Sequence, residues 1–197
     1  IKYGGTQRVM WYLGKELNKR GHKVTFIAGK GSSCPFAKVI ELDPSVNLNT
    51  QIPTDADIVH FNIPVPEGIT KPHLLTIHGN GIPANADRNI VFVSRNHAQR
   101  LGSESFVYNG LDWDDYGPAN LNLSRKNYHF LGKAAWKVKN IKGAIAVVQS
   151  IKNAQLDVLG GYRLNLKMGF RFTWNPRIHF HGMVDDSKKK GFIEQSR

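Results

Sequence analysis

An α/β fold with parallel sheets, laid out as two successive units, is what this sequence predicts. Short apolar runs of strand length alternate with stretches of helical periodicity, the pattern of parallel strands joined by helices. A polar stretch from Trp113 to Lys126, holding Gly117-Pro118, then interrupts the pattern. The pattern restarts beyond it. The expected division is residues 1–122 and 123–197, with the second unit only partly present.

In the first unit, Val9, Tyr12, Leu13 and Leu17 recur at helical spacing between Arg8 and Arg20. Gly21-His22 stops that helix, and Lys23 to Ala28 reads as a buried strand. Lys38 to Leu42 is a weaker strand after a Gly/Ser/Pro loop. Asp57 to Phe61 and His73 to His78 are two more, and Asn89 to Ser94 another, leading into a helix from about Asn96. Phe106 to Tyr108 is a short strand ending at the turn pair Asn109-Gly110.

In the second unit, strand Tyr128 to Leu131 precedes a helix over 142–152 with Ile145, Val148 and Ile151 on one side. Strand Gln155 to Leu159 ends in Gly160-Gly161, and strand Arg177 to Phe180 ends at His181-Gly182. The chain begins without methionine and stops within a helical pattern. It is therefore expected to be part of a longer protein.

Composition narrows the functions. The 197 residues carry 41% hydrophobic side chains, ordinary for a globular protein. No apolar run approaches the ~20 residues that a membrane span needs. The single cysteine, Cys34, excludes an internal disulfide and argues for a reducing, cytoplasmic compartment. A formal charge of +12 favours an anionic partner such as a nucleotide, a phospholipid surface or nucleic acid. No stretch stands out as interleaving aromatic with basic residues, so nucleic acid is not expected. Lys188-Lys189-Lys190 reads as a solvated helix face.

Two loops suggest phosphate chemistry. Gly4-Gly5 enters the first helix, where backbone N–H groups approach an anion with no Cβ in the way. It is not the dinucleotide fingerprint, because no third glycine follows at the required spacing and no acidic residue ends the strand after it. Lys133 and Lys139 flank the end of strand Tyr128 to Leu131, the edge where a doubly wound sheet binds ligands. Two cations there would neutralise a diphosphate leaving group. His78 closes a strand beside Gly79-Asn80-Gly81, at the corresponding edge of the first unit. Asp112, Asp114 and Asp115 are expected to cap turns, while Trp113, Trp136 and Trp174 are candidates for lining a sugar pocket. No His/Cys/Asp/Glu set has metal spacing, and no metal is expected.

These pieces together resemble the GT-B fold glycosyltransferases of the retaining family 4 type. Gly4-Gly5-Thr6-Gln7 with Leu17 and Gly21-His22-Lys23-Val24 resembles that family's opening loop, helix and strand. Thr76-Ile77-His78 resembles its central histidine strand, and Val93-Ser94 with Tyr108 to Asp112 its crossover segment. Phe130 to Lys133 with Lys139-Asn140 resembles its phosphate motif, and Phe180 to Asp186 its base-side strand and loop. Lys133 stands where the family has arginine, and the family's later pair of glutamates has no counterpart in this sequence.

The resemblance implies two Rossmann-like domains and transfer of a hexose, with retention, from a nucleotide diphosphate sugar to a saccharide or lipid-linked hydroxyl acceptor. It implies that Gly4 and Gly5 lie against the donor phosphates with Asn109 and Gly110 beside the donor, and that His78 lies by the sugar. It places Lys133 and Lys139 on the diphosphate and Val184 near the base, with no cofactor beyond the donor substrate. Peripheral contact with the inner face of an anionic membrane is compatible with it. Two alternatives stay open: another enzyme on this fold, such as a phosphorylase or epimerase, and a non-enzymatic basic α/β module that docks membrane or nucleic acid.

Overall fold

The computed structural model describes residues 4–82, 89–118, 122–125 and 127–197. Residues 1–3 ahead of the glycine pair, and 119–121 and 126 of the expected linker, lie outside the described residues. The chain is a mixed α/β protein with parallel sheets. It divides into two compact units, the first running to Asp112 and the second from Trp113 to Arg197. No helix among the described residues is long and apolar enough to cross a membrane.

The first helix, α1, spans Gly5–Lys19, three residues earlier than the apolar periodicity indicates. It ends where Gly21 adopts φ 87°, with His22 N–H donating to Leu17 O and Gly21 N–H to Asn18 O. That double bond pattern satisfies the last carbonyls and needs a left-handed residue, which glycine supplies. Strands β1 (Thr25–Ala28) and β2 (Lys38–Glu41) pair in parallel. α1 lies close on β1, since a Cβ on Gly14 would sit 2.4 Å from the tip of the Phe26 ring. One helical turn, α2 (Leu48–Gln51), was not legible in the sequence; Asn47 caps it by accepting from Asn49 N–H.

Strands β3 (Val59–Phe61), β4 (His73–Ile77) and β5 (Ile90–Phe92) form a parallel sheet in that order. Alternation sends Phe61, Leu75, Ile77 and Phe92 to one face, where they are buried with Ala98 of α3 (Arg95–Arg100). The opposite face carries His60, Asn62, Thr76 and His78. The strand expected at 106–108 contracts to a single parallel bridge between Phe106 and Phe92. The turn expected at Asn109-Gly110 is not there: 107–112 is irregular chain, and Gly110 has no positive φ.

In the second unit, β6 (Tyr128–Leu131), α4 (Ile141–Ser150), β7 (Leu156–Leu159), a hairpin of β8 (Leu164–Asn165) and β9 (Arg171–Phe172), β10 (Ile178–Phe180) and α5 (Asp186–Glu194) follow one another. The parallel sheet has the order β10-β7-β6, and all four residues of the central β7 are buried. Leu156, Val158 and Ile178 pack with Ile141 and Val148 of α4. The β8–β9 hairpin was not anticipated. It pairs antiparallel, Leu164 with Phe172 and Asn165 with Arg171.

Candidate functional site

The carboxyl edge of the second sheet is built from glycines. β6, β7 and β10 end at Gly132, Gly160 and Gly182, and backbone bonds stitch these loops together: Gly160 N–H donates to Gly182 O (2.6 Å), Ala134 N–H to Gly160 O (3.0 Å) and Gly182 N–H to Gly161 O (3.1 Å). Gly160 has φ 114°, and a Cβ there would stand 2.4 Å from Gly132 O. Only glycine permits that approach. The glycines let the three loops pack closely at this edge, with the Tyr162 ring against Gly182 and the Phe130 ring near Gly132.

Lys133 and Lys139 stand beside this edge, as their spacing predicts. Lys133 Nζ lies 5.0 Å from the centroid of the Trp136 ring. The Lys139 stem passes over Gly132, its Cδ 3.9 Å from where a Cβ would be. Both lysines are exposed, and no carboxylate among the described residues pairs with either. α4 starts just beyond them. Asn140 sits at φ 55° and its Oδ1 accepts from Gly143 N–H (3.1 Å), which caps the helix. The first turn of α4 holds no acidic residue, so Lys137, Lys139 and Lys142 crowd the positive end of a helix dipole. Like charge there is unfavourable until an anion arrives. Val184 is half-buried in the loop between β10 and α5, whose cap is Asp185 accepting from Lys188 N–H.

In the first unit, His78 follows β4 and its Nε2 is 2.8 Å from Asn62 Oδ1. The amide oxygen can only accept, so Nε2 carries the proton and Nδ1 keeps a free lone pair. Burial holds the His78 pKa below its usual value, as it does for His60, where nearby His78 adds a smaller effect. His60 keeps an exposed rim while its neighbours crowd the ring; its Nε2 is 2.7 Å from Thr76 Oγ1. Two neutral histidines, an amide and a hydroxyl thus share one sheet face at the strand ends. Gly4 caps α1 at φ 138° with no side-chain bond, and above Gly5 there is open space. Asn109 and Gly110 lie exposed in the irregular stretch.

Three expectations are corrected. Asp112 does more than serve a local turn: its carboxylate pairs with Lys15 of α1 at 2.5 Å. Lys189 is no solvated cation either, since it bonds Asp186 at 2.6 Å and lies 5.6 Å from the centroid of the Tyr116 ring. The sequence does hold a stretch interleaving aromatic and basic residues, the hairpin segment Tyr162 to Trp174. Its arginines turn inward and its rings outward. Arg163 donates to Thr173 O and Asn175 O, and Arg171 to Tyr162 O and Thr173 Oγ1, its guanidinium lying over Phe180.

Sequence reasoning missed the glycine floor and a polar cluster around one buried acid of the central strand. The floor was signalled by three strands each ending in glycine. The cluster centres on Asp157, whose carboxylate meets His181 Nε2 (2.7 Å) and Asn127 Nδ2 (3.2 Å). His129, paired with Asp157 in register, has a buried Nδ1 with no partner; burial pulls its pKa down and the aspartate partly offsets this. The sign that could have revealed it is Asp157 itself, a lone acid inside an apolar strand. No group of three His, Cys, Asp or Glu among the described residues could hold a metal ion.

Compared with known proteins, the chain matches no family model and no curated protein.

Proposed function

We propose that this protein transfers a hexose from a nucleotide diphosphate sugar to a hydroxyl acceptor with retention, in the manner of GT-B glycosyltransferases of the family 4 type. One observation carries the reading: Lys133 and Lys139, with no carboxylate partner among the described residues, stand between the glycine-rich end of β6 and the start of α4. That is an anion seat. The β10-β7-β6 order supports it, because it matches the 3-2-1 order of one half of a doubly wound sheet, a fold that binds ligands at its carboxyl edge.

In this reading the diphosphate lies at the carboxyl edge of β6, beside the start of α4. The two ammonium groups neutralise charge that grows on the leaving diphosphate, each contributing roughly 2–4 kcal/mol to the transition state. Lysine supplies point charges on flexible stems, so it follows a moving phosphate but gives no bidentate fork. His78 of the first unit, held neutral with Nδ1 free, offers a hydrogen-bond acceptor to a sugar hydroxyl. The acceptor is a saccharide or a lipid-linked saccharide.

Nucleoside diphosphates test the seat. UDP, GDP or ADP at millimolar concentration is expected to raise the melting temperature, as any ligand of the native state does. Lys133→Ala and Lys139→Ala should each weaken that effect at least tenfold in apparent affinity while leaving the melting temperature of the ligand-free protein unchanged. Indifference to all three nucleotides would remove the reading.

A further inference from the structure

The β8–β9 hairpin is amphipathic in the wrong direction for a soluble surface. Every second residue from Tyr162 to Trp174 is apolar, a strict period of two. Normally the apolar side of such a strand pair is covered and the polar side meets water. Here the reverse holds. Trp174 is 83% exposed, Phe170 73% and Leu166 72%, with Tyr162 and Met168 close behind. The arginines that should face solvent bond the hairpin's own backbone and stack on Phe180. Large apolar side chains exposed together on one short hairpin point to a docking surface.

The charge around it says what docks. Between Asp115 and Asp185 the chain holds eleven lysines and arginines and one acid, Asp157. That acid is buried and bonded to His181, so it puts no negative charge on this surface. Lys137 and Lys142 line the hollow beside Met168 and Phe170, and Lys167 stands at the hairpin turn. Aromatic and aliphatic side chains standing out among lysines, with no facing carboxylate among the described residues, match an anionic bilayer surface: rings and Met enter the headgroup–acyl boundary while ammonium groups meet the lipid phosphates. A single nucleic-acid strand stacks its bases on rings, whereas three of the side chains exposed here, Leu164, Leu166 and Met168, are aliphatic and suit acyl chains instead.

We infer that the apolar face of the β8–β9 hairpin, with Lys137, Lys142 and Lys167 around it, seats the second unit on an anionic phospholipid surface. The hairpin enters the interface and does not span it. This inference is independent of the transferase reading. Vesicle binding without nucleoside diphosphate binding would keep the one and lose the other.

The test is co-sedimentation of the 197-residue chain with vesicles of phosphatidylcholine containing about one third phosphatidylglycerol, beside pure phosphatidylcholine vesicles. Binding to the anionic vesicles, weakened by salt and at least tenfold weaker on the neutral ones, is expected. Phe170→Ser with Trp174→Ser should lower the anionic binding at least tenfold, and Lys137→Glu with Lys142→Glu should do likewise. Because these side chains are exposed, both double variants should melt with the parent. A variant pair that melts early is replaced by Leu166→Ser with Met168→Ser, which the same inference requires to bind at least several-fold less. The inference is overturned if the chain ignores anionic vesicles, or if the hairpin variants bind them as the parent does. It is also overturned if the hairpin instead drives self-association, or capture of single-stranded nucleic acid, with no vesicle binding.

Discussion

Replacing Gly160 by alanine probes the carboxyl edge of the second sheet directly. The native φ of 114° lies outside the regions open to residues with a Cβ, and the added methyl would stand 2.4 Å from Gly132 O. The first effect costs of order 1–3 kcal/mol. The overlap is with backbone held in the sheet: Gly132 N–H donates to Leu159 O, so the carbonyl cannot swing away freely. Relief by backbone shift costs a further 1–3 kcal/mol or so. Gly160→Ala should therefore lose about 3–5 kcal/mol, which for a domain of this size lowers the melting temperature by roughly 12 °C or more. Urea unfolding followed by far-UV circular dichroism measures it, and Gly191→Ala is the matched control. Gly191 lies within α5 with nothing near its Cβ position, so alanine there should stabilise by about 0.5–1 kcal/mol. Equal stability of Gly160→Ala and the parent would show that the glycine floor is not as tight as drawn.

Further outcomes follow from the polar groups. Asp157→Ala should destabilise the second unit by about 1–3 kcal/mol, because it removes the buried acceptor that Asn127 uses and the partner of solvent-exposed His181; the denaturation midpoint reads this. His60, His78 and His129 all have folded pKa values below the usual 6.5, so the unfolded chain binds more protons as pH falls. Their contribution is fully present above about pH 6.5 and is lost as pH falls towards their lowered values. Stability at pH 5.5 should thus be lower than at pH 7.5, and His60→Gln with His78→Gln should flatten that dependence. Lys15→Ala and Asp112→Ala should each cost about 1 kcal/mol and show coupling in a double-mutant cycle, since the pair joins α1 to the end of the first unit.

Most of the secondary structure was legible because parallel strands buried on both faces announce themselves as apolar runs. β1 to β7 and β10 fall where those runs lie, within a residue or two at their ends. α2 was not legible: four residues are too few for a helical period, and Asn47 alone sets the turn. The strand at Phe106 was over-read. Val107 and Tyr108 have strand propensity, yet they project into solvent with no partner strand beyond Phe92. For the candidate site, the positions of Lys133 and Lys139 followed from strand-end spacing. The Trp136 ring beside Lys133 did not, because that contact depends on how the 137–139 turn folds back.

The linear chain by itself determined its strands, its helix stops and the placing of lysines at a strand end. Each of these depends on neighbours a few residues away, through periodicity and the conformational freedom of glycine. Only the tertiary structure decided that Asp112 would bond Lys15, 97 positions away in the chain, that three distant glycines would meet as one floor, and that the Tyr162–Trp174 alternation would present its rings outward. A period of two says that a strand pair has two unlike faces. Which face meets water is set by what packs behind it, and here Phe180 and the hairpin's own carbonyls hold the arginines.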